Sequence, residues 1–385
     1  MAADEGGRRS TDRSMHDVAI VGLGVMGGAA ALELARRGAR VIGFDRFEPP
    51  HRWGSSHGDT RIIREAYFEH PVYVPMVQRA FVLWRELERA SGAALLQQTG
   101  GVMIGEPDST LIAGALRSAR THGLQHEVLS ASELRARVPV LNPEPGMVGV
   151  WEPRAGVLAA EACVSAQLGQ ARRHGADLRY DEPVSHWQAD GADISVHTAR
   201  GRHRARQLVV CAGAWVASLL PGVALPFRVE RQLLHWFEPA ATAAAFTPQR
   251  CPVHLWQFDG SRFFYGFPDQ GAGVKVAFHH RGEATSADAV TREVAAAEVD
   301  DMRRTLRRLL PAADGRLRAS IVCLYTNTPD EHFWIDRHPA HGNVLVASPC
   351  SGHGFKFAPV IGEIVADLVE GRPSRFDLGL FGWRA

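Results

Sequence analysis

The feature that most constrains the fold of this chain is a glycine-rich turn after a short apolar strand. Residues 18–21 are all apolar and predict a buried strand. The strand runs into Gly22, Gly24 and Gly27, which have the spacing G-x-G-x-x-G. Gly22 allows a tight turn, Gly24 allows the backbone to approach a pyrophosphate, and Gly27 allows the next helix to pack closely. The phosphates would face the N-terminus of that helix, which favours anions, so the pattern predicts a dinucleotide-binding turn.

The segment that follows the turn supports the same prediction. A helix is expected over residues 25–37, with Gly38 as its C-terminal stop. A second strand, over residues 40–44, ends in Asp45. A carboxylate about twenty residues beyond the glycines is where a ribose hydroxyl is bound, and its charge disfavours a 2′-phosphate. We therefore expect a bound adenine dinucleotide.

Composition and charge argue against several other classes of protein. With 385 residues, 45% hydrophobic and 22% charged, the chain is expected to form a globular enzyme of two domains. The 43 basic and 42 acidic residues leave a net charge of +1, so we expect neither a nucleic-acid nor a membrane partner. Five scattered cysteines lack metal-ligand spacing, which favours a reducing, cytoplasmic compartment and no bound metal. Residues 1–14 predict a disordered extension, with Met15 as an alternative start.

Lysine is almost absent from the sequence. The chain has 41 arginines but only two lysines, Lys275 and Lys356. Where arginine fills nearly every basic position, a retained lysine is expected to have a role that arginine cannot fill. The alternative is chance survival of two surface lysines.

Six further motifs occur in order along the chain. They are GSSHGDTRIIR at 54–64, YGFP at 265–268, VKVAFH at 274–279, VCLY at 322–325, DEHF at 330–333 and SGHGFKF at 351–357. Over residues 15–381, this series resembles the monomeric sarcosine oxidase and N-methyltryptophan oxidase family of flavoproteins, within the glycine and D-amino-acid oxidase superfamily. The resemblance implies bound FAD rather than NAD.

The same resemblance implies an α/β fold, with a Rossmann-type FAD-binding domain and a discontinuous second domain of mostly antiparallel β-sheet. The hydrophobic period also changes toward alternating strands over about residues 225–325, which favours an antiparallel sheet there. The expected FAD-binding domain comprises residues 15–95, 153–224 and 330–385, and the expected substrate domain comprises residues 96–152 and 225–329.

The sequence departs from the family pattern at two places. Pro349-Cys350 replaces the usual Gly-Phe before the SGHG motif, which stiffens the backbone beside the flavin and adds a thiol. Ser56 replaces one of two histidines, which removes an imidazole. Neither change removes a residue that we expect to be essential.

The resemblance assigns cofactor contacts to several residues. Cys323 lies in an apolar strand, where a cysteine is ordinarily a small core residue. By resemblance it is the thiol joined covalently to the 8α-methyl group of FAD. Arg61 would place a positive charge near the flavin, although a loop salt bridge is the alternative. The remaining expected FAD contacts are Gly22, Gly24, Gly27, Asp45, Gly352, Gly354 and Lys356.

Other residues are assigned to substrate binding and catalysis by the same resemblance. Arg64 and Lys356 would hold a substrate carboxylate, by a planar fork and a point charge, although both could be solvated surface charges. Tyr265 and His279 would line the amine side, and a neutral imidazole there would favour the unprotonated amine. His279 could instead be structural. His353 and Tyr325 are further expected substrate contacts, and Lys275 and Arg61 are assigned to catalysis.

These assignments predict an oxidase of N-methyl amino acids similar to sarcosine oxidase. The N-methyl carbon would lose a hydride equivalent to FAD, the imine would hydrolyse to formaldehyde and the free amino acid, and O2 would be reduced to hydrogen peroxide. The alternatives are an N-methyltryptophan oxidase or a biosynthetic amine or imino-acid oxidase. From other classes, they are an NAD-dependent dehydrogenase or a non-catalytic flavin-binding protein. A monomer is expected.

Overall fold

The computed structural model describes residues 15–220, 222–223, 226–240 and 243–382 of the protein. The extension expected at residues 1–14 lies outside the described residues.

The described residues form both α-helices and β-strands. The α-helices are α1 (Val25–Arg36), α2 (Tyr73–Ser91), α3 (Thr110–His122), α4 (Ala131–Arg137), α5 (Ala160–Arg173), α6 (Ala296–Leu309) and α7 (Ala358–Val369). The strands are β1 (Met15–Val21), β2 (Val41–Phe44), β3 (Thr60–Ile63), β4 (Leu96–Gln98), β5 (Gly101–Gly105), β6 (Glu127–Ser130), β7 (Val148–Glu152), β8 (Gly156–Ala159), β9 (Asp177–Arg179), β10 (Val184–Asp190), β11 (Asp193–Thr198), β12 (Gly201–Val210), β13 (Arg228–Phe237), β14 (Val253–Phe258), β15 (Arg262–Gly266), β16 (Val274–His279), β17 (Glu283–Thr285), β18 (Leu317–Asn327), β19 (Trp334–His338) and β20 (His341–Ser348).

One large sheet carries the glycine turn. Its strand order is β10-β11-β12-β1-β2-β9, and β20 joins β12 and pairs with β19. Strand β1 runs parallel to β2 and to β12, and β12 runs parallel to β20. Helix α1 contacts α5 and α7, which buries most of its alanine- and glycine-rich surface. A parallel sheet packed against helices is the Rossmann arrangement, so the expected α/β fold class is confirmed.

A second large sheet is almost entirely antiparallel. Its order is β17-β13-β16-β15-β14-β5-β7-β6, with β18 paired to β13, and only β14 and β5 run parallel. Helices α4 and α6 cover one face through Leu134, Met302 and Leu306, which are fully buried with Phe237 and Trp256. A small third sheet, β3-β8-β4, contributes to the site described below. The domain boundaries given above stay a prediction.

Local sequence signals place several helix ends. Gly92 ends α2 in the left-handed region at φ 74°. Ser130 and Glu133 form a capping box at the start of α4. The sequence predicts a helix over 290–310, but α6 begins only at Ala296. The buried Arg231 explains the difference, because its guanidinium binds the carbonyl oxygens of Thr291 and Glu293 and holds that segment out of the helix.

Further chain-wide properties concern membranes, metals and thiols. Among the described residues, no helix combines the length and the apolar character needed to cross a bilayer. The same part of the chain contains no cluster of three or more His, Cys, Asp or Glu residues suited to a metal ion. Cys163, Cys211, Cys251, Cys323 and Cys350 are free thiols.

Candidate active site

The turn between β1 and α1 can be built only with glycine at two of its positions. Gly22 has φ +92°, and a Cβ there would lie 2.5 Å from the carbonyl oxygen of Cys211. A Cβ on Gly27 would lie 1.7 Å from the carbonyl oxygen of Gly22, so any side chain would push α1 away from the turn. Gly24 is the N-cap of α1. The open N-terminus of α1 thus sits directly against the end of β1, as phosphate binding requires.

Asp45 is tied to this turn. Its Oδ2 accepts a hydrogen bond of 2.7 Å from the Leu23 amide, and its Oδ1 accepts one of 2.9 Å from the Phe47 amide. The carboxylate is buried and lies at the end of β2. These two bonds fix its position while leaving each oxygen a further lone pair for a hydroxyl group.

One continuous cavity runs from the glycine turn to the second sheet, with a volume of about 480 Å³. Gly27 and Lys275 do not line it. The other residues predicted from the sequence do so: Gly22, Gly24, Asp45, Arg61, Arg64, Tyr265, His279, Cys323, Tyr325, Gly352, His353, Gly354 and Lys356.

Two buried basic residues, Arg64 and Lys356, line this cavity and lie close enough for their charges to interact. Arg64 binds both carboxylate oxygens of Glu69 through Nη2 at 2.8 Å and the Ala66 carbonyl through Nη1 at 3.0 Å. Lys356 Nζ donates to the His353 carbonyl at 2.7 Å. Burial, with a smaller effect of the nearby Arg64, lowers the pKa of Lys356 to about 7 against the opposing effect of Glu69. The site therefore combines a permanent charge with one that titrates near neutral pH.

Tyr67 links Lys356 to His353. The Tyr67 hydroxyl lies 2.7 Å from His353 Nδ1 and accepts a bond of 3.2 Å from Lys356 Nζ. His353 Nε2 lies 2.9 Å from the Glu331 carbonyl and must carry the proton there, so Nδ1 accepts from Tyr67. Burial lowers the pKa of His353 to about 3, and the imidazole is neutral.

Residues of the second sheet and the SGHG loop form another part of the cavity wall. His279 Nδ1 lies 3.1 Å from the Tyr325 hydroxyl, and Tyr325 is also hydrogen-bonded to Tyr265. Desolvation holds the pKa of His279 well below its usual value, and the neighbouring His280 lowers it further. A Cβ on Gly352 would lie 2.4 Å from Tyr325 Cε2, so only glycine fits against this wall.

Cys323 and Arg61 lie next to each other on the cavity wall. Arg61 Nη2 lies 3.8 Å from Cys323 Sγ and donates to the carbonyls of Ser55 and His57 at 2.8 and 2.7 Å. The thiol is buried, with 3% of its residue surface exposed. Arg61 is thus fixed by backbone oxygens with its charge beside the thiol.

Lys275 lies at the edge of the site and is bonded to protein backbone. Its Nζ donates to the carbonyls of Gly58 and Thr60 at 2.6 and 2.7 Å, and to Thr60 Oγ1 at 3.1 Å. Burial lowers its pKa well below the usual value, and Arg61 lowers it further. The two lysines are therefore both buried, which contradicts the alternative of chance surface residues.

Comparison with known proteins identifies the family. Residues 17–368 match the profile of the DAO family, described as FAD dependent oxidoreductase. This chain belongs to the FAD dependent oxidoreductase family. It is 44% identical to monomeric sarcosine oxidase of Streptomyces avermitilis, over 95% of this chain and 96% of that protein. It is 37% identical to N-methyl-L-tryptophan oxidase of Salmonella typhimurium, over 95% of this chain and 98% of that protein.

Solved structures of this FAD dependent oxidoreductase fold agree with the architecture. NikD, an unusual amino acid oxidase essential for nikkomycin biosynthesis, superposes with a TM-score of 0.83 at 24% identity, over 96% of this chain and 97% of NikD. Glycine oxidase from Geobacillus kaustophilus superposes with a TM-score of 0.80 at 23% identity, over 96% of this chain and 99% of that chain. The expected resemblance is confirmed, and the NAD-dependent dehydrogenase alternative is set aside.

The cavity of this FAD dependent oxidoreductase fits the cofactor chemically. The glycine turn leaves room for phosphates at a helix N-terminus, and Asp45 offers acceptors for a ribose. The hydroxyl of Thr326, also on the cavity wall, is buried and has no hydrogen-bond partner within the described residues. A bound polar group would satisfy it.

Several residues of this oxidoreductase site were not predicted from the sequence. Tyr67 and Glu69 follow Arg64 closely in the chain, and an acid so near an arginine was the available signal. Ser56 accepts a 3.2 Å hydrogen bond from the Val25 amide, so the hydroxyl that replaces a histidine reaches the N-terminus of α1. Glu161 binds the amides of Gly58 and Asp59, and nothing in the sequence pointed to it.

Proposed function

We propose that the protein is an FAD-dependent oxidase of N-methyl amino acids, with sarcosine as the leading substrate. The observation that carries this proposal is the pair of buried cations, Arg64 and Lys356, in the same cavity as the dinucleotide turn and Cys323. A small amino acid bound there would have its carboxylate fixed at one end. The identities to a monomeric sarcosine oxidase and to an N-methyl-L-tryptophan oxidase support the substrate class.

Arg64 and Lys356 form the proposed carboxylate site. Arg64 Nη2 already binds both carboxylate oxygens of Glu69, which supports a guanidinium placed to bind carboxylates. Burial alone would raise the pKa of Glu69, but Arg64, together with His353 and Lys356, lowers it. A substrate carboxylate then completes the site by joining Lys356 and competing for the guanidinium.

His279, Tyr325 and Tyr265 would contact the amine. Desolvation lowers the pKa of His279 and keeps its ring neutral, and the same environment would disfavour a substrate ammonium and favour the unprotonated amine. Tyr325 orients the His279 ring through Nδ1. Bound FAD would supply the acceptor for a hydride equivalent lost from the N-methyl carbon. Water would then hydrolyse the imine to formaldehyde and the free amino acid. Tyr265 lines the cavity with His279 and Tyr325.

Attachment of FAD through Cys323 belongs to the same proposal. The thiol lies on the cavity wall with the Arg61 guanidinium 3.8 Å away. Reduction of O2 to hydrogen peroxide would complete each turnover, with Lys275 supplying positive charge. We also propose a monomer, supported by two relatives named as monomeric. The cytoplasmic location stays a prediction.

Anaerobic mixing tests catalysis against a non-catalytic flavin-binding protein. Sarcosine should bleach the yellow holoenzyme without O2 and release formaldehyde, because both electrons pass to the cofactor. N-methyltryptophan, supported by the second relative, serves as the comparison substrate. A flavin that stays yellow with every secondary amine would support the non-catalytic alternative.

Arg64→Met and Lys356→Met should each weaken binding of acetate, by on the order of 2 to 5 kcal/mol, because each leaves a buried site without its charge. Titration of the flavin absorbance gives the Kd. Arg154→Met is the matched control, since this exposed arginine pairs with Glu65 nearby but does not line the cavity. Unchanged acetate affinity in both Arg64→Met and Lys356→Met would contradict the assignment.

Acetate binding should also depend on pH through Lys356. Its pKa is lowered to about 7, so the ammonium is present below this pH and is lost above it. Affinity should therefore fall as pH rises beyond 7, by up to about tenfold per pH unit. Kd measured from pH 6 to pH 9 should show this slope in the native enzyme, and in Arg64→Met its onset should move to higher pH because Arg64 lowers the pKa of Lys356. The slope should vanish in Lys356→Met, and its persistence there would exclude Lys356 as its source.

A further inference from the structure

One peptide group lies between a buried ammonium and a carboxylate. The carbonyl oxygen of Gly58 accepts a 2.6 Å hydrogen bond from Lys275 Nζ. The N–H of the same peptide group, on Asp59, donates to Glu161 Oε2 at 3.1 Å and to Oε1 at 3.3 Å. The Gly58 amide also donates to Glu161 Oε1, at 2.6 Å. Opposite charges therefore bind opposite ends of one peptide dipole.

The positive charge of Lys275 needs a compensating negative charge. It is 2% exposed, and no carboxylate lies within 4.0 Å of Nζ in the part of the chain that the structure describes. Its three N–H donors are matched by two carbonyls and the Thr60 hydroxyl, with the Phe267 ring 4.6 Å away. Neutral acceptors satisfy its hydrogen bonds but not its charge, which is costly to bury alone.

The turn that joins the two charges has a constrained backbone. Gly58 and Asp59 have φ values of +94° and +64°, so both lie in the left-handed region. Glu161, in the first turn of α5, is the side chain that binds both of their amides. Its loss would release the turn that presents the Gly58 and Thr60 carbonyls to Lys275.

We propose that Glu161 is the counter-charge and positioning residue of Lys275, acting through the Gly58–Asp59 peptide group. The electrostatic interaction between Glu161 and Lys275 does not depend on turnover. Its effect on the reaction with O2 rests on the proposed oxidase function.

The other charges around Lys275 agree with this role. Burial lowers its pKa most, and Arg61 on β3 lowers it further. Cys323 on β18, Asp59 in the turn and Glu161 on α5 act in the opposite direction. Replacing Glu161 by glutamine keeps the shape and one acceptor but removes the charge, so the pKa of Lys275 should fall.

The composition of the chain makes the pKa of Lys275 measurable. Because the chain has only two lysines, lysine labelled with ¹³C at Cε gives two side-chain resonances in the holoenzyme. Lys356→Met assigns them. The Lys275 resonance is followed against pH in native enzyme, in Glu161→Gln, and in Glu161→Asp, which retains the charge. Glu88→Gln is the matched control, since Glu88 likewise binds two loop amides, those of Leu95 and Leu96, at 2.8 and 2.9 Å.

Glu161→Gln should lower the titration midpoint of the Lys275 resonance by about one pH unit. Glu161→Asp should lower it by less, because the charge is retained. Glu88→Gln should leave it unchanged, and the Lys356 midpoint should stay constant in all three variants. An equal Lys275 midpoint in native enzyme and Glu161→Gln, or an equal shift in Glu88→Gln, would overturn the proposal. Because the readout is a proton titration, an inactive oxidase would not produce either result.

Discussion

Lys275→Met is expected to slow the reaction of the reduced enzyme with O2 by on the order of 10² to 10³, while anaerobic reduction by substrate changes much less. The first electron transferred to O2 creates superoxide, an anion where a neutral molecule stood. A fixed ammonium stabilises that developing charge without reorganising. Lys275 is buried, and its bonds to Gly58 and Thr60 hold it in one place.

Stopped-flow measurement separates the two half-reactions of this variant. Lys275→Arg should recover only part of the rate, because the space around Nζ is bounded by two carbonyls and the Phe267 ring. Slow substrate reduction together with normal reaction with O2 would assign Lys275 to substrate binding and contradict the prediction.

Cys323→Ala is expected to abolish covalent attachment of FAD completely. Acid precipitation should leave the yellow colour in the pellet of the native enzyme and in the supernatant of the variant. Cys211→Ala and Cys350→Ala are matched controls, because both thiols line the same cavity. Burial raises the pKa of Cys211 to about 12 and that of Cys350 to about 11, so both stay protonated at neutral pH. A flavin-peptide mapped to Cys350 would contradict the assignment.

The parts of the structure that follow local rules could be predicted from the sequence. The strand, turn and helix around Gly22 depend on contacts within about thirty residues, and α1 ends within one residue of its expected position. The caps of α2 and α4 at Gly92 and Ser130 are likewise local. Apart from Gly22, Gly24 and Asp45, the residues predicted to line the cavity were found only because their motifs resemble a family.

Long-range contacts could not be predicted in this way. Lys275 is bound by Thr60, 215 residues earlier in the chain, and no sequence pattern around either residue predicts this contact. Arg231 delays the start of α6 by binding carbonyls about sixty residues later in the chain, which overrides the helical pattern at 290–295. From the sequence, Glu161 is interpreted as an ordinary acid in the first turn of a helix. Its contact with the turn at Gly58 is apparent only in the structure.

Release of hydrogen peroxide over a panel of substrates tests the proposed oxidation of N-methyl amino acids by O2 most directly. The panel contains sarcosine, N-methyltryptophan, glycine and an N-methylamine without a carboxylate. We predict peroxide and formaldehyde in equal amounts, with the highest kcat/KM for sarcosine and little activity on the amine that Arg64 and Lys356 cannot hold. If neither N-methyl amino acid gives peroxide while the yellow cofactor is fully bound, the proposed oxidase function is contradicted.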